Sequence, residues 1–358
     1  GTTYDNSKWF YIHRDNDERY IGCIKPASVA VTNNGTSGAS DKTGVAVNAT
    51  SGSGDKDNTT VNLTASGGVV TGITIKDAGT GYATNDTITI TASAAGTGAN
   101  VVGTITLGDI DIWNAATGVA CTVNYGSGAQ SHLLGARTNY DVLTVQDTSI
   151  ITDNLFTVKT IDAPSFTAKS KATLVLSDTP VGVFKVTINS QDATVTATRF
   201  ATSLEIERAS AFTITCQGGS ANTKLNVLQD QVDNVSQLPF QSKNGRVVKV
   251  INTELSADTY WAKFVAEDGT SGRGYWEETI DPTKSTGLTD TTMPHELVNT
   301  DTNEFEFRKI VWTARLVGDD LTNSHPSFVG QKIEQAFFHN NRLGFLSRDN
   351  VSMSQSQD

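Results

Sequence analysis

The chain has 358 residues, with 38 acidic against 27 basic side chains, a formal net charge of −11, 37% hydrophobic residues and 31 glycines. The acid surplus argues against a protein that grips nucleic acid through clustered Lys and Arg. No run of about 18 apolar residues offers a membrane-spanning helix, and no charged-then-apolar signal segment opens the chain. The length predicts two or three domains, and abundant Thr with turn-forming Gly and Asn predicts short strands and many turns. That is an all-β fold, mostly antiparallel, with one or two short helices.

Residues 9–13 and 20–24 read as strands around the charged turn 14–19, a hairpin. From 25 to 104 aromatics nearly vanish, and strings such as SGSG and SAAGTG raise the possibility of a flexible linker. Yet residues 69–75 (VVTGITI) and 87–91 (TITIT) alternate, with Gly79-Thr80-Gly81-Tyr82 between them. Disorder has no such period, so a folded β insertion is the preferred reading. Residues 104–125 resume the strand rhythm as a further hairpin, turning at 114–118, which follows directly on residue 24 once the insertion is excised. Asp109 and Asp111 share a strand face; a glycosidase-like carboxylate pair is one reading. A solvated edge, where charges discourage unwanted pairing, is the plainer one.

Residues 141–160 read as a hairpin, and 172–176, 183–188 and 193–198 as strands. Phe200 and Leu204, four apart with Glu205 and Arg208 nearby, predict a short helix. Strands follow at 212–216 and 224–228. Residues 246–251 and 260–265 form a strand pair, and 275–280 a strand that Pro282 stops. Glu277 and Glu278, being consecutive, point to opposite faces and cannot act as one site; Trp276 is expected in a core or an interface. The last fifth reads as a three-strand meander: 332–338, a turn at His339-Asn340-Asn341, 342–347, then 351–354.

Chemistry-bearing patterns are sparse. There is no G-x-S-x-G, no H-E-x-x-H and no P-loop. His13, His132, His295, His325 and His339 have no metal spacing, and His295 is expected to be a hydrogen-bonded structural residue. Asp319, Asp320 and Asn323 could hold a cation, but a turn whose Asp side chains cap local amides is simpler. Cys23, Cys121 and Cys216 are expected to be small buried hydrophobes, as suits a reducing compartment. The sequons at Asn34, Asn48 and Asn58 follow from composition. No catalytic, cofactor-binding or metal-binding residue is assigned.

Several motifs occur in one order: M-P-H at 293–295, W-x-x-R-x-V-G-D-D-x-T-N at 312–323, P-S-F-V-G at 326–330, and F-F-H-N-N-R-L-G-F-L-S at 337–347 followed by D-N-V-x-x-S. Weaker ones precede them, including Leu238-Pro239, Gly245 to Val250 and Trp276 to Thr279. Together they resemble the tail nozzle proteins, also called tail tubular protein B, of short-tailed bacteriophages. Residues 25–104 are similar to a small β-repeat inserted in many phage structural proteins, with Asp86 where that repeat often has proline.

The resemblance implies a platform β domain from 1–24 with 105–163, an inserted decoration domain at 25–104, a second β-rich domain with a short helix at 164–240, and a β domain at 241–290. Residues 291–358 would be the first, incomplete blade of a β-propeller. Starting at Gly1 and stopping after a third blade strand, the chain reads as a piece of a longer protein. Met293, Pro294, His295, Trp312, Arg315, Gly318, Asp319, Phe328, Gly330, Arg342, Leu343, Gly344 and Phe345 would be structural motif residues, with Arg342 the favoured buried ion pair or carbonyl clamp.

By the same resemblance the protein is structural and not an enzyme: a homo-oligomeric ring, six copies by family pattern, below a tail adaptor protein. It would dock tail fibres and enclose the channel through which viral DNA passes without sequence-specific binding. It would reside in the virion tail, be assembled in the host bacterial cytoplasm, and meet the host outer membrane only through the assembled tail. The acid surplus then reads as a wall to which DNA does not stick. The alternative is a glycan-binding or depolymerising tail component; a secreted adhesin fits residues 25–104 but not the later motifs.

Overall fold

The computed structural model describes residues 4–15, 18–52, 54–164, 231–252, 255 and 258–355, and between 165 and 230 the backbone of six strands. The chain divides into two compact units, Gly1–Thr160 with Leu288–Thr313 and Pro326–Asp358, and Ile161–Gly287 with Ala314–His325. Both are built from β-sheets, as the Thr/Gly/Asn composition predicts. The named strands pair antiparallel with two exceptions: Thr122–Tyr125 runs parallel to Glu304–Lys309, and Gln231–Val232 parallel to Val247–Val250.

The first unit centres on two facing sheets. Lys8–His13, Arg19–Lys25 and Asp109–Asn114 form one; the other has the order Thr122–Tyr125, Glu304–Lys309, His295–Asp301, Thr148–Asp153, Tyr140–Val145. Strict alternation sends Ile12, Tyr20, Ile24, Ile110 and Ile112 from the smaller sheet into one core with Tyr140, Ile151, Leu297, Phe305 and Phe307 from the larger. The expected hairpin over 104–125 forms only around its turn, where the Asn114 amide donates to the Val119 carbonyl, the Cys121 amide donates to the Ile112 carbonyl, and Trp113 bridges antiparallel to Ala120. Its first part splits between Val101–Thr106 and Asp109–Asn114, and its second part joins a strand almost two hundred positions away. A parallel partner so distant has no local signature.

Between Lys25 and Asp109, which pair across the sheet, the chain leaves and re-enters at one point. The excursion folds as a four-stranded sheet (Ser28–Asn34, Val101–Thr106, Thr87–Ile90, Ala49–Thr50) against a three-stranded one (Lys42–Ala46, Thr60–Ser66, Val69–Asp77). Its core holds Val61, Leu63, Ile88, Ile90, Val101 and Ile105, spaced by even numbers along their strands, and Val70 and Ile73, which lie three apart across a bulge in Val69–Asp77. Each such side chain contributes about 1.5–3 kcal/mol when fully buried.

The Gly-Thr-Gly-Tyr turn has a packing reason. Thr59 Oγ1 lies 2.7 Å from the Tyr82 hydroxyl and accepts the Gly79 amide at 3.0 Å, and a Cβ on Gly79 would stand 2.0 Å from the Asp55 carbonyl oxygen. Asp86 caps the same turn, accepting the Ala83 amide at 2.9 Å. The module is tied into the unit: Leu134, Leu155 and Phe156 belong to its core cluster, and Lys332 reaches Asp77 at 2.7 Å.

The C-terminal meander is Gln335–His339, Arg342–Ser347 and Asn350–Met353, antiparallel throughout, with Asn340 and Asn341 at positive φ in the first turn as their residue type predicts. Phe337 lies directly across from Gly344 with its ring over the glycine, where a Cβ would meet it at 2.2 Å; Phe10 covers Gly22 in the same way, also at 2.2 Å. The two hairpins use one device, an aromatic ring filling the space that a cross-strand glycine leaves.

The second unit carries a five-stranded sheet, order Gln231–Val232, Val247–Val250, Tyr260–Ala266, Ser271–Thr279, Gln241–Lys243. A four-stranded sheet (Thr196–Arg199, Ser203–Arg208, Ser170–Leu176, Leu225–Leu228) and the pair Lys185–Asn189 with Thr213–Gln217 complete it. The helix expected around Leu204 is a strand instead: Leu204 and Ile206 alternate within Ser203–Arg208, and the spacing to Phe200 was coincidental, Phe200 itself lying outside the described residues. Glu205 is fully buried with Arg246, 3.5 Å apart, and accepts the Ser242 hydroxyl at 2.6 Å. Such a pair is costly to break from one side, since it strands the other charge. Trp276 sits against this sheet's core and donates its indole N–H to the Pro239 carbonyl at 2.8 Å.

Candidate functional site

Most of the motif residues are gathered into one place by the first unit. Met293, Phe328 and Phe345 are buried in a single cluster with Val158, Ile333 and Ala336, and Trp312 and Leu343 pack against it. Phe345 is the hub, meeting Trp312 at 5.9 Å and Phe328 edge-on at 5.7 Å. Pro294 is buried beside them, Gly330 takes positive φ in the turn that leads to the meander, and Gly344 sits under Phe337. On the solvent side this cluster opens as a cleft of about 680 Å³, lined by Leu288, Trp312, Phe328, Phe338, Leu343 and Met353. Its lining is mostly apolar, edged by Thr313, Asn341, Ser352, Ser354 and Gln355, with no titratable side chain among the residues that face it.

Arg315, Gly318 and Asp319 lie in the second unit and build a different object. Arg315, only 9% exposed, donates from Nη1 to the Asn323 carbonyl at 2.6 Å and from Nη2 to the Ser285 carbonyl at 2.5 Å, and pairs with Asp320 at 3.2 Å. Asp319 Oδ1 accepts the amides of Leu321 and Thr322 at 2.8 and 2.9 Å, which holds its carboxyl below the ordinary carboxylate range. Lys284 reaches Asp320 at 2.9 Å. Gly318 has φ of 83°, a conformation that favours glycine. The loop is a turn closed by its own side chains, with Leu321 left 91% exposed.

Arg342, expected to be a buried clamp, is exposed and makes no ion pair or side-chain hydrogen bond among the described residues. The carbonyl clamp is Arg315. Nothing in the residue type separates the two; what differs is whether unpaired carbonyls converge on the guanidinium.

His295 is buried with Nδ1 2.9 Å from the Met293 carbonyl, and its ring stacks on His132 with centroids 4.1 Å apart and planes 13° apart. Phe156 and Phe307 cap the stack on either side. Burial lowers both imidazoles, His295 to about 4, so both rings are neutral at pH 7. Sequence reasoning found His295 but not His132 as its partner, since the two are far apart in the chain. Asp153, fully buried, is pushed up to about 7 by its surroundings although it accepts the Leu134 and Leu155 amides at 3.2 and 3.0 Å.

Asp109 and Asp111 do share a strand face, but Lys25 lies between them, 2.6 Å from one and 3.1 Å from the other. Asp109 also accepts the Tyr125 hydroxyl at 2.7 Å. Both carboxylates are engaged as ion-pair acceptors. Cys23 is buried and Cys121 only half-buried, both as free thiols. Among the described residues no group of three His, Cys, Asp or Glu is placed to hold a metal ion.

Comparison with known proteins gives this arrangement its context. Residues 185–358 match the family described as Bacteriophage nozzle protein. Over 143 residues, 40% of the chain, the sequence is 36% identical to the tail tubular protein gp12 of Escherichia phage T7. The match spans 17% of that relative's length. Residues 185–358 include the meander, the Arg315 loop and every motif residue named above. Over that stretch the chain is similar to bacteriophage nozzle proteins, and the chain spans less than a fifth of the length of the curated relative it matches.

Proposed function

We propose that this chain is a wall subunit of the tail nozzle, one of six copies in a ring below the tail adaptor protein. The ring docks tail fibres and encloses the bore through which viral DNA leaves the virion. Assembly takes place in the host bacterial cytoplasm, and the host outer membrane is met only through the completed tail. The work is mechanical: stiff sheets repeated around an axis, with heterologous contacts that close on themselves. The chain contributes shape and no reactive side chain.

The observation that carries this reading is the family match over residues 185–358, which takes in the meander and the clamped loop together. Two physical features support it. The buried aromatic cluster and the self-closed Arg315 loop are rigid constructions with no titratable group facing the cleft. The net charge of −11 suits a wall along which DNA slides without sticking. Mass photometry and electron microscopy of the purified protein with its adaptor test it: a closed ring around an open bore is expected. A protein that stays monomeric at high concentration with the adaptor present would end the proposal.

A further inference from the structure

One face of the sheet formed by Lys8–His13, Arg19–Lys25 and Asp109–Asn114 is buried in the first unit's core. The other face bears Trp9, Tyr11, Ile21 and Trp113. The registers Trp9–Cys23–Asp111 and Tyr11–Ile21–Trp113 set them side by side across the three strands. Trp9 and Tyr11 are each 48% exposed and Ile21 is 41% exposed. The rings are held in place: Trp9 stacks on Trp113 at 5.9 Å, and Tyr4 meets Trp113 at 5.4 Å and Trp9 at 5.8 Å. Rings already fixed in position lose little freedom when something lands on them.

The charges on this face cancel. Arg19 and Lys25 offset Asp109 and Asp111, with Lys25 bound to both aspartates. The chain as a whole carries −11, so two copies repel across most of their surfaces. A neutral face of exposed Trp and Tyr is where a like-charged neighbour can approach at least electrostatic cost, and those side chains dominate the energetics of protein contacts. The outer strand Lys8–His13 also stands at the edge of its sheet. Nucleic acid would stack on such rings but would find no cationic groove for its phosphates on a face without net charge.

We propose that this aromatic face is the contact surface for a second copy of this chain, with Trp9 and Tyr11 at its centre. The inference rests on the ring reading above. In the full chain, Trp9→Ser with Tyr11→Ser should weaken self-association about 100-fold by sedimentation or mass photometry, while Val119→Ser leaves it unchanged. Hydroxyl-radical footprinting of the unaltered protein gives a readout that needs no variant: Trp9 and Tyr11 should be protected in the assembled form and reactive in the monomer. Full self-association of the double variant, or rings equally reactive in both forms, overturns this surface and leaves the ring reading standing. An unaltered protein that never self-associates overturns both. Binding of a neutral oligosaccharide that is lost in the double variant, with self-association unchanged, reassigns the face to a sugar.

Discussion

In the inserted module the buried side chains are Val, Ile, Leu and Ala with one tyrosine, whereas around the meander they are led by Met293, Phe328 and Phe345, backed by Trp312. The module stabilises itself through many small alternating contacts and through backbone segments that come close only because glycine lets them. The meander concentrates its packing on a few rings, one of which touches two others. Truncation should therefore act differently in the two places: gently and diffusely in the first, severely at a hub in the second.

Phe345→Ala gives the largest expected effect, a loss of about 3–5 kcal/mol in denaturant unfolding, against about 0.5–1.5 kcal/mol for Ile88→Val in the module. Equal costs at the two sites would break the contrast. Next comes the histidine stack, where Phe156 of the module's cluster and Phe307 of the platform core enclose His132 and His295. The unfolded chain takes a proton on His295 near 6.5, while the folded chain resists until about 4. Its contribution is present above 6.5 and is lost as pH falls from there to 4, a change on the order of 3 kcal/mol.

Asp153 runs the other way. Its carboxyl is raised from 3.8 to about 7, so its contribution is complete at acid pH and is lost as pH rises toward 7. His295→Gln should flatten the acid-side loss of stability measured between pH 6.5 and 4, and Asp153→Asn should steepen it.

Gly79→Ala should destabilise by about 1–3 kcal/mol through overpacking against the Asp55 carbonyl, which is backbone and cannot swing aside. A neutral effect in thermal melts would show that the module is not built on close approach. The smallest effects separate two arginines. Arg315→Met should cost about 2 kcal/mol and make residues 314–323 sensitive to protease, while Arg342→Met should stay within about 0.5 kcal/mol.

Much of the fold was legible because strand alternation is a local property. The runs 69–75 and 87–91 became Val69–Asp77 and Thr87–Ile90, and the Asn-Asn turn of the meander sits where the sequence put it. The helix expected near Leu204 failed because a single pair four apart cannot outweigh period-two alternation across Ser203–Arg208. The hairpin expected over 104–125 stops a few residues past its turn because its second strand, from Thr122, takes a parallel partner at Glu304–Lys309.

The same division holds for the motif residues. That His295 would be structural could be argued from its neighbours; that it would lie against His132 could not. The aromatic face was in the sequence as a tryptophan and a tyrosine near the start and a tryptophan at 113, with no hint that two strand registers would set them side by side.

What the amino-acid order determined alone was the all-β class, most strand positions, the turn chemistry and the absence of a charge pattern suited to gripping nucleic acid, because each depends on neighbours within a few residues. Tertiary structure decided which arginine is a clamp, which aspartates are paired with a lysine, and which rings are buried or left in solvent. Those outcomes depend on groups brought together from opposite ends of the chain, and proximity of that kind is created only when the sheets close on one another.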